Sequence, residues 1–238
     1  ALKYCTSAPF SAELKRQVLA RMPGGLIEIY SMTEGGVVCL LPCHEFPDKL
    51  HTVGRPAPGS ELKVLDDNDQ PVPPGMPGNL IGLSQTMMAG YKNQPGKTRE
   101  GYWTDPETGQ VWQRMGDIGR VDADGFVELV GRAKDMIISG GFNIFPSDLE
   151  AELLKEPGVA EAAVVGVPSR KWGETPVGFV RLAGKGDPDA ILAAVNARLG
   201  KTQRLAALHA IDELPRSHIG KLLKTDLREL ADRIGPVE

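Results

Sequence analysis

Apolar and polar positions change rhythm twice along this chain of 238 residues. Leu14, Val18 and Leu19 share one face of a helix that Ser11 caps and Pro23-Gly24-Gly25 ends. Leu26 to Tyr30 follows as a short buried strand, and Leu2-Lys3-Tyr4-Cys5 reads as another. Strand, helix, strand order predicts an α/β layer with polar residues at the strand ends available to a ligand. From Val53 to Val130 the runs are short and β-rich: Glu61 to Leu65, Gly78 to Leu83 and Phe126 to Val130 are separated by Pro-Gly, Asp-Asn and Asp-Gly turns. That texture predicts a small, mostly antiparallel β-barrel, with Asp122-Ala123-Asp124-Gly125 as a hairpin turn.

Beyond Lys134 the pattern is mixed again. Ser147-Asp148-Leu149-Glu150 has the form of a capping box opening a helix through Lys155. Ala160 to Val167, Val177 to Leu182 and Leu208 to Ile211 read as strands. Asp187 to Leu199 reads as a helix with Ile191, Leu192 and Val195 inward, and Thr225 to Ile234 as an amphipathic one through Leu227, Leu230 and Ile234. The predicted fold class is α/β with an α+β end. Residues 1–50 finish an α/β layer, 51–131 form the β-barrel subdomain, and a domain boundary over 132–135 separates them from the α+β residues 136–238.

Charge narrows the function. Against 27 basic residues stand 31 acidic ones, a formal balance of -4 that offers no broad footprint for nucleic acid or an anionic membrane. No apolar run approaches the roughly 18 residues of a membrane span, so a soluble protein is expected. Three cysteines, Cys5, Cys39 and Cys43, make no disulfide framework, and a reducing cytoplasm is expected. Cys39, Cys43 and His44 lack the fourth ligand that a closed zinc site needs.

Several motifs carry chemistry in combination. Gly131-Arg132-Ala133-Lys134-Asp135 runs on to Ser139-Gly140-Gly141, and far downstream stands Leu214-Pro215-Arg216-Ser217-His218-Ile219-Gly220-Lys221. Tyr30-Ser31-Met32-Thr33-Glu34 leaves a strand, Gln113 to Gly119 encloses Met115-Gly116-Asp117, and Arg170-Lys171-Trp172-Gly173-Glu174 makes a turn. A hydroxyl can donate to a phosphate oxygen, a carboxylate can hold magnesium or accept from a vicinal diol, and an ammonium can offset charge between two anions.

In order and separation these segments resemble the adenylate-forming superfamily of acyl-CoA synthetases, aryl-CoA ligases, luciferases and peptide-synthetase relatives. The resemblance covers nearly all of the chain but about the C-terminal half of a full member. It implies an ATP-dependent acid–thiol ligase acting on a small-molecule carboxylic acid, fatty or aromatic, through an acyl-adenylate, with ATP, Mg2+ and coenzyme A as cofactors. It makes Lys221, Thr33 and Glu34 catalytic, with Glu34 on magnesium. It places Ser7, Ala8, Pro9, Glu28, Tyr30, Thr33, Asp117 and Arg132 on ATP or AMP, and Gly140, Gly141 and Trp172 on CoA, and it makes 132–135 a hinge, centred on Lys134, that carries 136–238 as a mobile lid.

The chain departs from the family at Ser31, where a glycine is usual, at Cys5-Thr6-Ser7, at His218 and Ile219, and at Lys201-Thr202-Gln203-Arg204-Leu205. It has no Ser/Thr/Gly-rich phosphate loop and no layer to shape the acid pocket. An N-terminal part of the same enzyme is therefore an expected partner, a homodimer is allowed, and the piece alone is expected to be inactive. Two other readings stay open: an adenylating enzyme with a non-CoA acceptor, and a non-catalytic binding module that keeps the fold.

Overall fold

Five small apolar cores organise residues 3–6, 10–22, 24–218 and 220–235, which a computed structural model of the chain describes. They fall into two units, Ala1–Ala133 and Lys134–Glu238.

In the first unit β1 (Lys3–Thr6) runs parallel to β2 (Gly25–Tyr30), with α1 (Ala12–Arg21) crossing between them. The short strands β3 (Cys39–Pro42) and β4 (Arg55–Pro56) continue the sheet antiparallel, in the order β1-β2-β3-β4. Ser11 caps α1 as expected, its hydroxyl oxygen accepting from the Leu14 amide at 3.2 Å. The inward face differs from expectation: Leu14 is 41% exposed, Val18 and Leu19 are partly buried, and Lys15 is buried. An ammonium tolerates that position because its three protons find three acceptors: the Leu50 and Thr52 carbonyls, each at 2.9 Å, and the Glu28 carboxylate.

A second sheet follows, from β5 (Ser60–Leu65), β6 (Gly78–Ser84), β7 (Tyr102–Thr104) after the short α2 (Pro95–Glu100), β8 (Val111–Val121) and β9 (Val127–Arg132). Its order is β5-β6-β8-β7 with β9 on β8, all antiparallel, so the expected barrel is an open half-barrel. The Asp122–Gly125 hairpin forms as expected. Gly125 takes a φ of 82°, and the Asp122 carboxylate accepts from the Asp124 and Phe126 amides, both at 2.9 Å. Asp117 sits within the eleven-residue β8.

The second unit starts in a 3-10 turn over Ala133–Asp135. Then come β10 (Ile137–Ser139), β11 (Phe142–Ile144), α3 (Pro146–Leu153), β12 (Val159–Ser169), β13 (Gly173–Leu182), α4 (Pro188–Arg198), β14 (Ala207–Ala210) and α5 (Lys224–Ile234). The sheet runs β11-β10-β13-β12, with β14 parallel to β13. Side chains alternate across it. Val164 and Val180 meet Leu149 and Leu153 of α3 and Ile191 and Val195 of α4 on one face. Ala163, Val165, Val177 and Phe179 meet Leu227 and Ala231 of α5 on the other. Cover on both sides explains the unbroken apolar run of β12.

Two expectations fail here. Ile234 is 51% exposed, because α5 ends past the edge of its core. The helix start is displaced from the predicted capping box: α3 begins at Pro146 with Phe145 at its cap position, which puts Ser147 inside the first turn. Glu150 instead accepts from the Val164 amide at 2.9 Å and from Lys224 Nζ at 2.8 Å.

Candidate functional site

Where β2 ends, Tyr30 points its hydroxyl at Asp117 of β8, donating to Oδ2 at 2.7 Å. Asp117 pairs in register with Arg132 of β9, whose Nε lies 3.0 Å from Oδ1. The carboxylate is therefore buried and held from both sides, while Arg132 remains exposed. Burial, then the Asp117 charge, push the Tyr30 phenol far above its ordinary range, so it stays a neutral donor. Each Asp117 oxygen keeps a free lone-pair direction, which is what a vicinal diol requires. Tyr30, Asp117 and Arg132, all of which the resemblance assigns to the nucleotide, are thus brought together.

Glu28 is not part of that group's polar face. Its carboxylate is buried against Lys15, burial raising its pKa and Lys15 opposing the rise. Ser7, Ala8 and Pro9, expected on the adenine face, lie outside the described residues.

After Tyr30 the chain turns, the Gly35 amide donating to the Met32 carbonyl at 3.1 Å, and Gly35 and Gly36 take φ values of 91° and 89°. A methyl group at Gly35 would stand 2.5 Å from Met87 Cα, so only glycine lets the turn pack onto that segment. Thr33 is exposed on it. Glu34 Oε1 accepts from the Tyr91 hydroxyl at 2.7 Å, an interaction that holds its carboxyl below the usual range. Lys97, over the Tyr91 ring at 4.6 Å, adds to that effect. Oε2 and the Thr33 hydroxyl are hard oxygen donors of the kind that suit magnesium and phosphate. Tyr91 was not expected from the sequence, since one tyrosine among turn residues carries no periodic signal.

In the second unit Gly140 and Gly141, with φ of 59° and 81°, form the two-residue turn between β10 and β11. The Gly140 amide donates to the Trp172 carbonyl at 2.8 Å, and a methyl at Gly140 would stand 2.9 Å from the Trp172 ring. Glycine thus allows the indole to lie on the turn. Glu174 holds the arrangement by accepting from the Ile138 amide at 2.8 Å. Beside Trp172 a pocket of about 210 Å³ includes Lys171, Lys201, Thr202 and Arg204 in its wall.

Lys221 is exposed in a tight loop between Leu214 and α5. Arg216 bridges to Leu222 across it, and the Ser217 amide donates to the Lys221 carbonyl at 2.8 Å. Lys134, exposed, lies in the 3-10 turn, and the next residue, Asp135, accepts from Arg228 of α5 at 2.9 Å.

Comparison with known proteins gives two family matches in chain order: AMP-binding enzyme over residues 1–92 and AMP-binding enzyme C-terminal domain over residues 148–221. A sulfoacetate–CoA ligase of Cupriavidus necator is 36% identical over 231 residues, 95% of this chain and 44% of the relative. A feruloyl-CoA synthase of an Amycolatopsis species is 36% identical over 94% of this chain and 45% of the relative. Among solved structures, ATP-bound MatB from Rhodopseudomonas palustris superposes with a TM-score of 0.84 at 29% identity, covering 98% of this chain and 46% of that one. The chain therefore spans less than half the length of the curated relatives named here.

Proposed function

Because this chain belongs to the AMP-binding, adenylate-forming enzyme family, we propose that it serves an ATP-dependent carboxylic acid–CoA ligase working through an acyl-adenylate. The observation that carries the reading is Asp117, a buried carboxylate held by Tyr30 and Arg132 with lone pairs left for a ribose diol. Tyr30 orients it, and Arg132 pairs with it while offering its outer nitrogens to a phosphate. Thr33 donates to the α-phosphate. Magnesium, when bound at Glu34, would neutralise phosphate charge. Lys221 offsets the charge that gathers as the acid's carboxylate meets the α-phosphate, which is electrostatic catalysis rather than proton transfer.

A second observation favours two alternating arrangements. The Lys221 loop is tied to Glu161 near the start of β12, whereas Trp172 and Gly140 lie beside Ser169 at its end. Eight residues of strand separate them, roughly 26 Å at about 3.3 Å per residue. One substrate cannot meet both at once, so a rotation about Lys134 exchanges them, adenylate formation using Lys221 and thiol attack using the Gly140–Trp172 face. Lys171, Lys201 and Arg204 suit the phosphates of CoA.

The remaining length found in relatives would supply the phosphate loop and the acid pocket, so the choice among fatty, aromatic and small acids lies there. Three free thiols and a described chain in which no helix is long and apolar enough to cross a membrane fit a cytoplasmic enzyme of acid activation. The test offers a preformed acyl-adenylate to the protein with either CoA or a carrier-protein thiol. Discharge to CoA is expected; discharge only to the carrier, or only to water, overturns the reading.

A further inference from the structure

Arg216 sits at the foot of the Lys221 loop and makes two attachments with one guanidinium. Its Nη1 donates to the Gly220 carbonyl at 3.0 Å, and its Nη2 meets Glu161 Oε2 at 2.5 Å. The other oxygen of Glu161 accepts from Arg181 Nε of β13 at 2.7 Å. Glu161 faces Arg181 in the β12–β13 register, so the carboxylate is fixed to the sheet before it holds the loop. The other foot of the loop is fixed to the same strand: Lys224 Nζ donates to the Val164 carbonyl at 3.2 Å and to Glu150 at 2.8 Å. The loop backbone is otherwise closed on itself by Ser217 to Lys221 and Gly220 to Ser217 bonds, both 2.8 Å. A flexible lysine at the end of an unbraced loop would spread its ammonium over many positions, and placing it would cost conformational freedom at each turnover.

We propose that Glu161 and Arg216 are positioning residues that brace the Lys221 loop on β12, so that the catalytic ammonium is carried as a rigid part of the second unit. The planar fork of Arg216 presents two separate nitrogens to the two acceptors at once, whereas a lysine there would have to reach both from a single nitrogen. The catalytic part of this inference rests on the ligase reading above, but the brace itself does not.

The test is Glu161→Gln, read by amide hydrogen exchange in this chain and by the two half-reactions in the same chain joined to the N-terminal part found in its relatives. The amides of Ser217, Gly220 and Lys221 are expected to exchange about tenfold faster, while those inside β12 and β13 keep the wild-type rate. Arg216→Lys should fall between. In the half-reactions, acyl-adenylate formation should drop about tenfold in kcat with the KM for ATP unchanged, and thiol discharge of supplied adenylate should not change. Wild-type exchange in the loop overturns the brace, and so does equal acceleration in the sheet, which would make Glu161 a residue of general stability. Faster loop exchange with adenylate formation unaffected overturns the positioning role. If the wild-type chain joined to the N-terminal part found in its relatives forms no adenylate with any acid, the ligase reading fails, and the exchange comparison still decides the brace.

Discussion

Asp117 has each oxygen engaged by a different donor, one phenolic and one cationic, and this division predicts how its variants separate. Asp117→Asn keeps the shape and the contact to Tyr30 but removes the charge facing Arg132. AMP affinity measured by calorimetry should fall about 10- to 100-fold, the scale of losing a hydrogen bond to a charged group. Tyr30→Phe removes only the orienting donor and should cost less; an equal loss in both would mean that Asp117 is positioned by Tyr30 alone. The thiols give a second test at this scale. Cys39 is buried on β3 and its pKa is pushed up to about 12 by burial, Cys43 is buried and raised for the same reason, and Cys5 is exposed. At pH 8 the native protein should react with a maleimide at Cys5 only, and with all three thiols after unfolding, as peptide mass mapping would report.

At the scale of elements, α5 joins the Lys221 loop to the second core, and its two apolar ends are unequal. Leu227 is fully buried among Val165, Val177 and Phe179, whereas Ile234 is half exposed. Leu227→Ala should cost about 2–5 kcal/mol in urea unfolding, by lost burial plus the cavity left. Ile234→Ala should stay within about 0.5 kcal/mol. The periodicity of α5 predicted both as inward, which shows where pattern reading stops: it finds the face of a helix, not the point at which the supporting sheet ends. α4 was legible to within one residue at each end, because the apolar spacing of Ile191, Leu192 and Val195 fits it; Asp187, read as its first residue, is its cap and accepts from the Asp189 amide. α3 was shifted because Pro146 suits the first helical position, which takes the cap from Ser147 and frees Glu150 for Lys224. β8 was read only as a motif around Asp117, since Gly116 and the polar Gln113 and Arg114 interrupt its alternation. Lys15 could not be foreseen inside. Three acceptors from Glu28 and a loop 35 residues on decide its burial, and no local spacing encodes them.

For the whole molecule, the proposed ligase reading and the distribution of the candidate residues along β12 predict that, in the chain joined to the N-terminal part found in its relatives, the two half-reactions are separable by mutation. Lys221→Ala removes the ammonium and leaves the Gly140–Trp172 contact untouched, because Gly140 and Trp172 meet beside the far end of the strand. Adenylate formation should fall by about 10²- to 10³-fold, the scale of one electrostatic donor in a desolvated site. Discharge of supplied adenylate to CoA should be unchanged. Gly140→Ala should do the reverse, since its methyl meets the Trp172 ring at 2.9 Å and φ of 59° is strained for alanine. A chain whose two variants lost both steps equally would have a single arrangement serving both reactions, and neither a hinge at Lys134 nor an exchange of faces would then be needed.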